Sequence, residues 1–332
     1  MLDMGCRERQ WWKRGVRASF GLLLSIVLLT SCGTAGGGSG EDAASGPTRT
    51  VEHDMGEAEV PAQPQRIVAL ELPYIDMLSA LRVSPVGLVD DGDPETLIPE
   101  VRERIGEWES VGSRSEPNLE QIAKLEPDLI IADNERHAAI YEELNEIAPT
   151  VVFTARYAGY EKTLDVAREV GNAINKSDEM NAEIGRLEGR LDELSRTNSD
   201  GDNSENGDRD SLAVIPRERG TAQVLGEGSY VADILDRVRV PYAPEAAAYP
   251  AEADSASTGL EGLAEIDPAV LFVMTDAETT MDHWQSSEVW QKLTAVENED
   301  VHAVSRAQWT RSRGLVAMEL IAEEAVELFD ER

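Results

Sequence analysis

Arginine recurs at one kind of place in this sequence. Arg114 lies in "VGSRSEPN", Arg136 and His137 follow "DLIIA", Arg217 and Arg219 follow "SLAVI", and Arg311 and Arg313 stand with Trp309 in "WTRSRG", just after "VHAV". A guanidinium is a planar fork that matches a carboxylate with two parallel hydrogen bonds, so several of them gathered in one cleft would hold a polyanion. Taken singly, each reads more readily as a surface partner for one of the chain's 64 acidic residues, which outnumber 30 basic ones. Their shared position at the ends of apolar runs is what favours a site.

Other chemistries find little support. A formal charge of −34 repels phosphate and excludes nucleic acid as a partner. There is no G-x-S-x-G elbow, no Walker loop and no dinucleotide fingerprint, so the chain does not read as an enzyme. Its four histidines, His53, His137, His283 and His302, fall in separate segments, which argues against a naked-metal site. Lysine is scarce, five against 25 arginines. That bias suits a salty medium, and it equally suits a genome whose codons favour arginine.

The elements that must position the arginines alternate. "RIVALE" (66–71) reads as a buried strand, "YIDMLSAL" (74–81) as a helix and "PVGLV" (85–89) as a strand; "DLIIA" (128–132), a helix over 138–147 and "TVVF" (150–153) continue the pattern. This is α/β sequence with parallel strands. From 160 to 196 no strand pattern appears, and Met180, Ile184, Leu187, Leu191 and Leu194 recur at helical spacing through 177–196, a helix about 30 Å long. The polar "TNSDGDNSENGDRD" (197–210) reads as a solvated loop. Alternation resumes with "SLAVI" (211–215), "AVLFVMT" (269–275), "VHAV" (301–304) and a last helix over 315–329.

An internal repeat divides the chain into two lobes joined by the long helix. "LEQIAKLEPDLII" (119–131) matches "LEGLAEIDPAVLF" (260–272), each a short helix ended by proline and followed by a strand. Glu120 and Glu261 occupy equivalent places at the helix starts and should point outward, where an acid also complements the helix dipole. Two α/β lobes leave a cleft, and ligands of open α/β sheets bind beyond the carboxyl ends of the strands.

The N-terminus reads as a processing signal. Five basic residues precede an apolar run over 18–29, too short for a permanent span, which ends in "LTSC" and resembles a bacterial lipobox with Cys32 as the acylated residue. An ordinary secretory signal containing a cysteine is the plainer reading; the Gly/Ser-rich "GTAGGGSGEDAASG" that follows favours a tethered lipoprotein. Cys6 would leave with the signal, so no thiol remains in the mature domain. The expected organisation is a signal peptide over 1–31, a tether over 32–49, an N-terminal lobe over 50–160, a helical connector over 161–196, an acidic disordered loop over 197–210 and a C-terminal lobe over 211–332.

The lipobox, "QRIVAL", the stretch from "VGSRSEPNLEQIAKLEPDLIIADNERH" to "TVVF", "MTDAE" and the segment ending in "WTRSRG" together resemble the substrate-binding lipoproteins of iron-siderophore importers, with ferric-citrate binders nearest and ferric-hydroxamate binders next. The likeness covers residues 63–332 and is weak over 196–253. It implies two Rossmann-like lobes bridged by a single long rigid α-helix, a shallow cleft, no cofactor, and a monomer lipid-anchored on the outer face of the cell membrane. Such a protein passes a ferric chelate to an ABC permease and its ATPase. It also implies that Arg114, Arg136, His137, Arg311 and Arg313 face the chelate, and that Glu120 and Glu261 dock on the permease. Arg217 and Trp309 complete the candidate site by position. Haem or cobalamin binding, with Tyr74, Tyr157 or Tyr160 as an axial ligand of haem, and a non-transport adhesin or sensor module remain as alternative readings.

Overall fold

The computed structural model describes residues 46–330 apart from 157, 201–208, 218–219, 250–256 and 277–283. It opens with an antiparallel hairpin of β1 (Thr48–His53) and β2 (Gly56–Pro61). Val51, Ala58 and Val60 turn inward from it, and Arg49 donates to the carbonyl of Ala173 at 2.6 Å. The acid-rich hairpin lies partly in the segment expected to be tether. Its alternation of buried and exposed residues is carried by only three apolar side chains.

The first five-stranded sheet follows. Its chain order is β3 (Ile67–Ala69), α1 (Leu72–Ala80), β4 (Gly87–Leu88), α2 (Pro99–Ile105), β5 (Glu109–Ser110), α3 (Leu119–Lys124), β6 (Leu129–Asp133), α4 (Asn134–His137), α5 (Tyr141–Ile147) and β7 (Thr150–Phe153). The strands lie in the order β5-β4-β3-β6-β7, all parallel. β3, β6 and β7 are buried along their whole length, as parallel strands covered on both faces must be. The helix expected over 138–147 is broken, because the Asp133 carboxylate caps a separate first turn and a 3₁₀ turn intervenes before α5.

α6 (Tyr160–Ala173) and α7 (Ser177–Asp200) lead to the second sheet. α7 runs past the expected end at 196, since the Asn198 side chain donates to the carbonyls of Val238 and Arg239 at 2.9 and 2.8 Å and holds the polar "TNSD" in helical form. The second sheet contains β8 (Ser211–Arg217), β9 (Thr221–Val224), β10 (Ser257–Gly259), β11 (Val270–Thr275) and β12 (Val301–Ser305), ordered β10-β9-β8-β11-β12. Here β8, β11 and β12 are parallel, but β9 runs antiparallel to both its neighbours, so the sheet is mixed. Gly220, at φ 75°, lies in the short return from β8 to β9. α8 (Tyr230–Arg237), α9 (Leu260–Ile266) and a C-terminal helix (Leu315–Asp330) pack around it.

One apolar core runs through both halves, from Ile67 and Ile131 to Met318 and Phe329, while a smaller one around Trp284, Trp290 and Leu293 lines the other face of the second sheet. α7 packs on α6, α8 and the C-terminal helix, with Arg186 and Arg190 bridging to Glu319 and Glu323. A second seam joins the halves besides α7: the C-terminal helix lies against α1. There the buried Asp76 of α1 accepts hydrogen bonds from the Val316 and Ala317 amides and the Ser312 hydroxyl, at 2.8, 3.0 and 3.0 Å.

Candidate functional site

The carboxyl ends of both sheets' parallel strands meet at a cleft of about 230 Å³. Among the described residues seven arginines line it: Arg114, Arg136 and Arg156 from the first half, and Arg217, Arg306, Arg311 and Arg313 from the second. Among the described residues only two acids do, Glu71 and Asp133. In a chain of charge −34 this is a focused positive concavity, where low-dielectric walls concentrate the field.

Each arginine is placed by a local device. Arg114 sits in the loop from β5 to α3, where its amide and guanidinium both bond the Asp91 carboxylate, the guanidinium at 2.6 and 3.0 Å. Burial alone would raise the Asp91 pKa, but the Arg114 hydrogen bonds and charge hold it below the ordinary carboxylate value. Arg136 follows the Asp133 cap on α4, pairs with Glu71 and reaches the Ser115 hydroxyl at 3.4 Å. Arg217 ends β8 and bonds Gln223 of the neighbouring β9.

Arg156 stands just after β7, and the last three come from the "SRAQWTRSRG" turn, which forms a π-helix over Ala307–Ser312 with Arg313 left-handed at φ 49°. Such turns, wider than an α-helix, are frequent at functional sites. Arg306 and Arg311 share the Asp276 carboxylate at 3.0 and 2.8 Å. Burial lowers the pKa of Arg311 from its ordinary value, and the neighbouring positive charges of Arg306 and Arg114 add to this against the pull of Asp276. A guanidinium already partly desolvated among like charges gains more than an exposed one when an anion arrives.

Two residues expected in the site lie beneath it. Trp309 is fully buried, with its ring 5.0 Å from that of Phe272 and its indole N–H donating to Glu324 at 2.7 Å, so it holds the arginine-bearing turn from below. His137 is also fully buried: its Nδ1 accepts from the Asp133 amide at 3.0 Å, which leaves Nε2 to donate to the Arg114 carbonyl at 2.9 Å. It is a strut between the end of β6 and the Arg114 loop, and burial lowers its pKa, keeping it neutral. Tyr74 is buried too, donating to the Phe153 carbonyl at 2.7 Å. Tyr160 lies at the start of α6 with its ring largely buried. Cys32, Tyr157, Arg219 and His283 lie outside the described residues.

Glu71, Arg156, Arg306 and Gln223 line the cleft without having been singled out from sequence. The strand-end rule reaches three of them, since Glu71 follows β3 closely, Arg156 follows β7 and Arg306 follows β12. The repeat helices place Glu120 and Glu261 on the surface at the carboxyl ends of the sheets. For Glu120 this follows from the loop after β5, and for Glu261 from the register that sets Gly259 level with Thr221 and Arg217.

A two-sheet α/β protein with a cationic cleft beyond its strand ends has the architecture of a solute-binding protein. Residues 67–306 match the model of the periplasmic binding protein family, and the chain belongs to that family. It is therefore a substrate-binding protein and not an enzyme. It is 36% identical over 283 residues to the Fe(3+) dicitrate-binding periplasmic protein FecB of Escherichia coli (strain K12), covering 84% of this chain and 90% of that one. It is 32% identical over 320 residues to the Fe(3+)-citrate-binding protein YfmC of Bacillus subtilis (strain 168), covering 92% and 94%. Its fold is similar to that of Staphylococcus aureus SirA complexed with staphyloferrin B, at a TM-score of 0.71 and 23% identity over 85% of this chain and 98% of that one.

Proposed function

We propose that this protein captures an anionic ferric chelate, ferric citrate before others, and delivers it to the permease of an ABC importer. The observation that carries this reading is the set of seven arginines, among the described residues, drawn from both sheets onto one cleft. A neutral trihydroxamate can be held by one arginine and apolar walls. A citrate complex presents several uncoordinated carboxylate oxygens, and each takes a charge-assisted bond worth roughly 1.5 to 3 kcal/mol. The chelate's own oxygens cage the iron, so the protein makes no bond to the metal. The names of two relatives that bind ferric citrate point the same way.

The rest of the reading follows from that role. Cys32 anchors the chain to the outer face of the membrane through lipid, and α7 acts as a rigid spacer that limits closure of the two halves. The protein works as a monomer. Glu120 and Glu261 dock on basic residues of the permease, so replacing both with alanine should stop uptake while ferric citrate affinity persists.

Titration calorimetry with ferric citrate and with a neutral ferric trihydroxamate tests the ligand. Arg311→Ala should weaken citrate binding about tenfold or more, since 1.4 kcal/mol is one decade, and affinity should fall as salt rises. Tighter binding of the hydroxamate than of citrate would refute the citrate assignment.

A further inference from the structure

The acids of an anion site need a reason to be there. Asp133 has one: its Oδ1 accepts from the amides of Glu135 and Arg136, and its Oδ2 accepts from the Tyr74 hydroxyl and the Ala155 amide. Glu71 has no comparable task. It is 6% exposed at the N-cap of α1, makes no side-chain cap there, and meets Arg136 as an ion pair without the alignment of a hydrogen bond. It is a buried carboxylate whose main partner is a guanidinium that an incoming anion would claim.

We propose that Glu71 takes up a proton when the chelate binds, which frees Arg136 for the ligand and turns Glu71 into a hydrogen-bond donor to an uncoordinated carboxylate oxygen. The inference rests on the anionic-chelate reading above. The charged groups around Glu71 set the balance. Arg136 on α4, Arg114 on the β5–α3 loop and, more weakly, the Leu72 amide favour its anion, while Asp133 at the end of β6 opposes it; Tyr74 on α1 is the neighbouring titratable hydroxyl. Across the cavity stand Arg156 after β7, Arg217 at the end of β8, and Arg306, Arg311 and Arg313 around the π-turn. Burial outweighs its neighbours and pushes Glu71 up to about 7, so ligand-free protein at neutral pH holds it part protonated.

A bound polyanion shifts that balance in one direction. It brings negative charge close to Glu71 and draws the positive charge of Arg136 to itself, and both changes favour the neutral acid. The proton comes from the buffer, and at most one is taken up per chelate. By linkage, a ligand that raises the proton affinity of a group must itself bind more tightly as pH falls. A neutral chelate draws no proton. Glu71 thus selects for anionic chelates at the same point where the arginines do, without leaving a buried charge beside a bound carboxylate.

Calorimetry of ferric citrate binding at pH 8, in buffers of different ionisation enthalpy, counts the protons taken up. The expected result is close to one proton in wild type, a roughly tenfold loss of affinity between pH 6.5 and 8.5, and neither effect in Glu71→Gln, which mimics the neutral acid. A wild-type enthalpy independent of buffer overturns the inference and leaves the functional reading standing; this measurement needs no variant to fold. The same proton count in Glu71→Gln also overturns it, by placing the proton on Asp133 or on the chelate. Absence of any ferric citrate binding by wild type overturns the functional reading, and this inference with it.

Discussion

Helix α1 carries two buried acids on two faces, and they serve opposite ends. Glu71 at its N-cap looks into the cleft; Asp76, five residues on and about 140° round the axis, looks into the seam against the C-terminal helix. Burial raises both, Glu71 to about 7 and Asp76 to about 6. The difference lies in their partners. Glu71 faces a side-chain guanidinium that a ligand can take, whereas Asp76 faces two main-chain amides and a hydroxyl that cannot leave. An acid paired with exchangeable charge can respond to ligand, and an acid paired with fixed backbone donors can only hold structure. The seam shows how closely it is built: a Cβ on Gly314 would fall 2.2 Å from Asp76 Oδ1.

The largest effect should therefore come from the seam. Asp76→Ala leaves the N-terminal amides of a 16-residue helix buried and unpaired, and it should cost about 3 kcal/mol or more in denaturant unfolding. Asp76→Asn, which keeps one acceptor oxygen, should cost less. Gly314→Ala should cost about 1 to 3 kcal/mol through overpacking, and less in the Asp76→Ala background because the clashing carboxylate is gone. Additive losses in the double variant would show that the two residues do not meet as described.

Next in size is the pH dependence of stability. Both acids have folded values above their ordinary 4.5 and 3.8, so the folded state binds their protons more tightly than the unfolded chain does. Their contribution is fully present below about pH 4 and is lost as pH rises through about 6 and then 7. Ligand-free protein should lose melting temperature between pH 5 and pH 8. His137, lowered by burial, has the opposite sign: its contribution is present above about 6.5 and falls away as pH drops. The variants separate these terms, because Glu71→Gln should flatten the upper part of the loss and Asp76→Asn the lower part. An unchanged slope in Glu71→Gln would place the titration elsewhere.

How far the sequence disclosed all this depended on whether a residue's partners were local. The parallel strands were legible as apolar runs, and the strand-end rule reached Arg114, Arg136, Arg217, Arg311 and Arg313, all of which line the cleft. Asp76 stood as a lone acid within the apolar "YIDMLSAL", but its partners lie 236 to 241 residues away, and no periodicity encodes them. His137 by the family resemblance, and Trp309 by its position, stood as ligand-facing residues. What puts them below the cleft is Glu324, 15 residues on, and the Arg114 carbonyl, 23 residues back. The β8–β9 return was missed because "TAQV" is short and has Gln223 at a buried position, where a strand pattern asks for an apolar residue.

The smallest effect tests a third acid that mixes the two roles. Glu324 of the C-terminal helix accepts from the Trp309 indole at 2.7 Å and from the Gln308 side chain at 2.8 Å, both on the π-turn that carries Arg311. Burial raises its pKa, while those two hydrogen bonds lower it. Its partners are neutral and do not touch the ligand, so by the contrast drawn on α1 it should behave as Asp76 does and merely hold. What it holds is the arginine turn, and loosening that turn should appear in affinity before it appears in fold. Glu324→Ala should weaken ferric citrate binding several-fold through misplacement of Arg311, with the Trp309 emission shifted by loss of its acceptor; Glu324→Gln, which keeps an acceptor oxygen, should restore both. If Glu324→Gln instead changed the pH dependence of binding as Glu71→Gln should, fixed neutral partners would not be enough to make a buried acid silent, and the division between the two faces of α1 would fail.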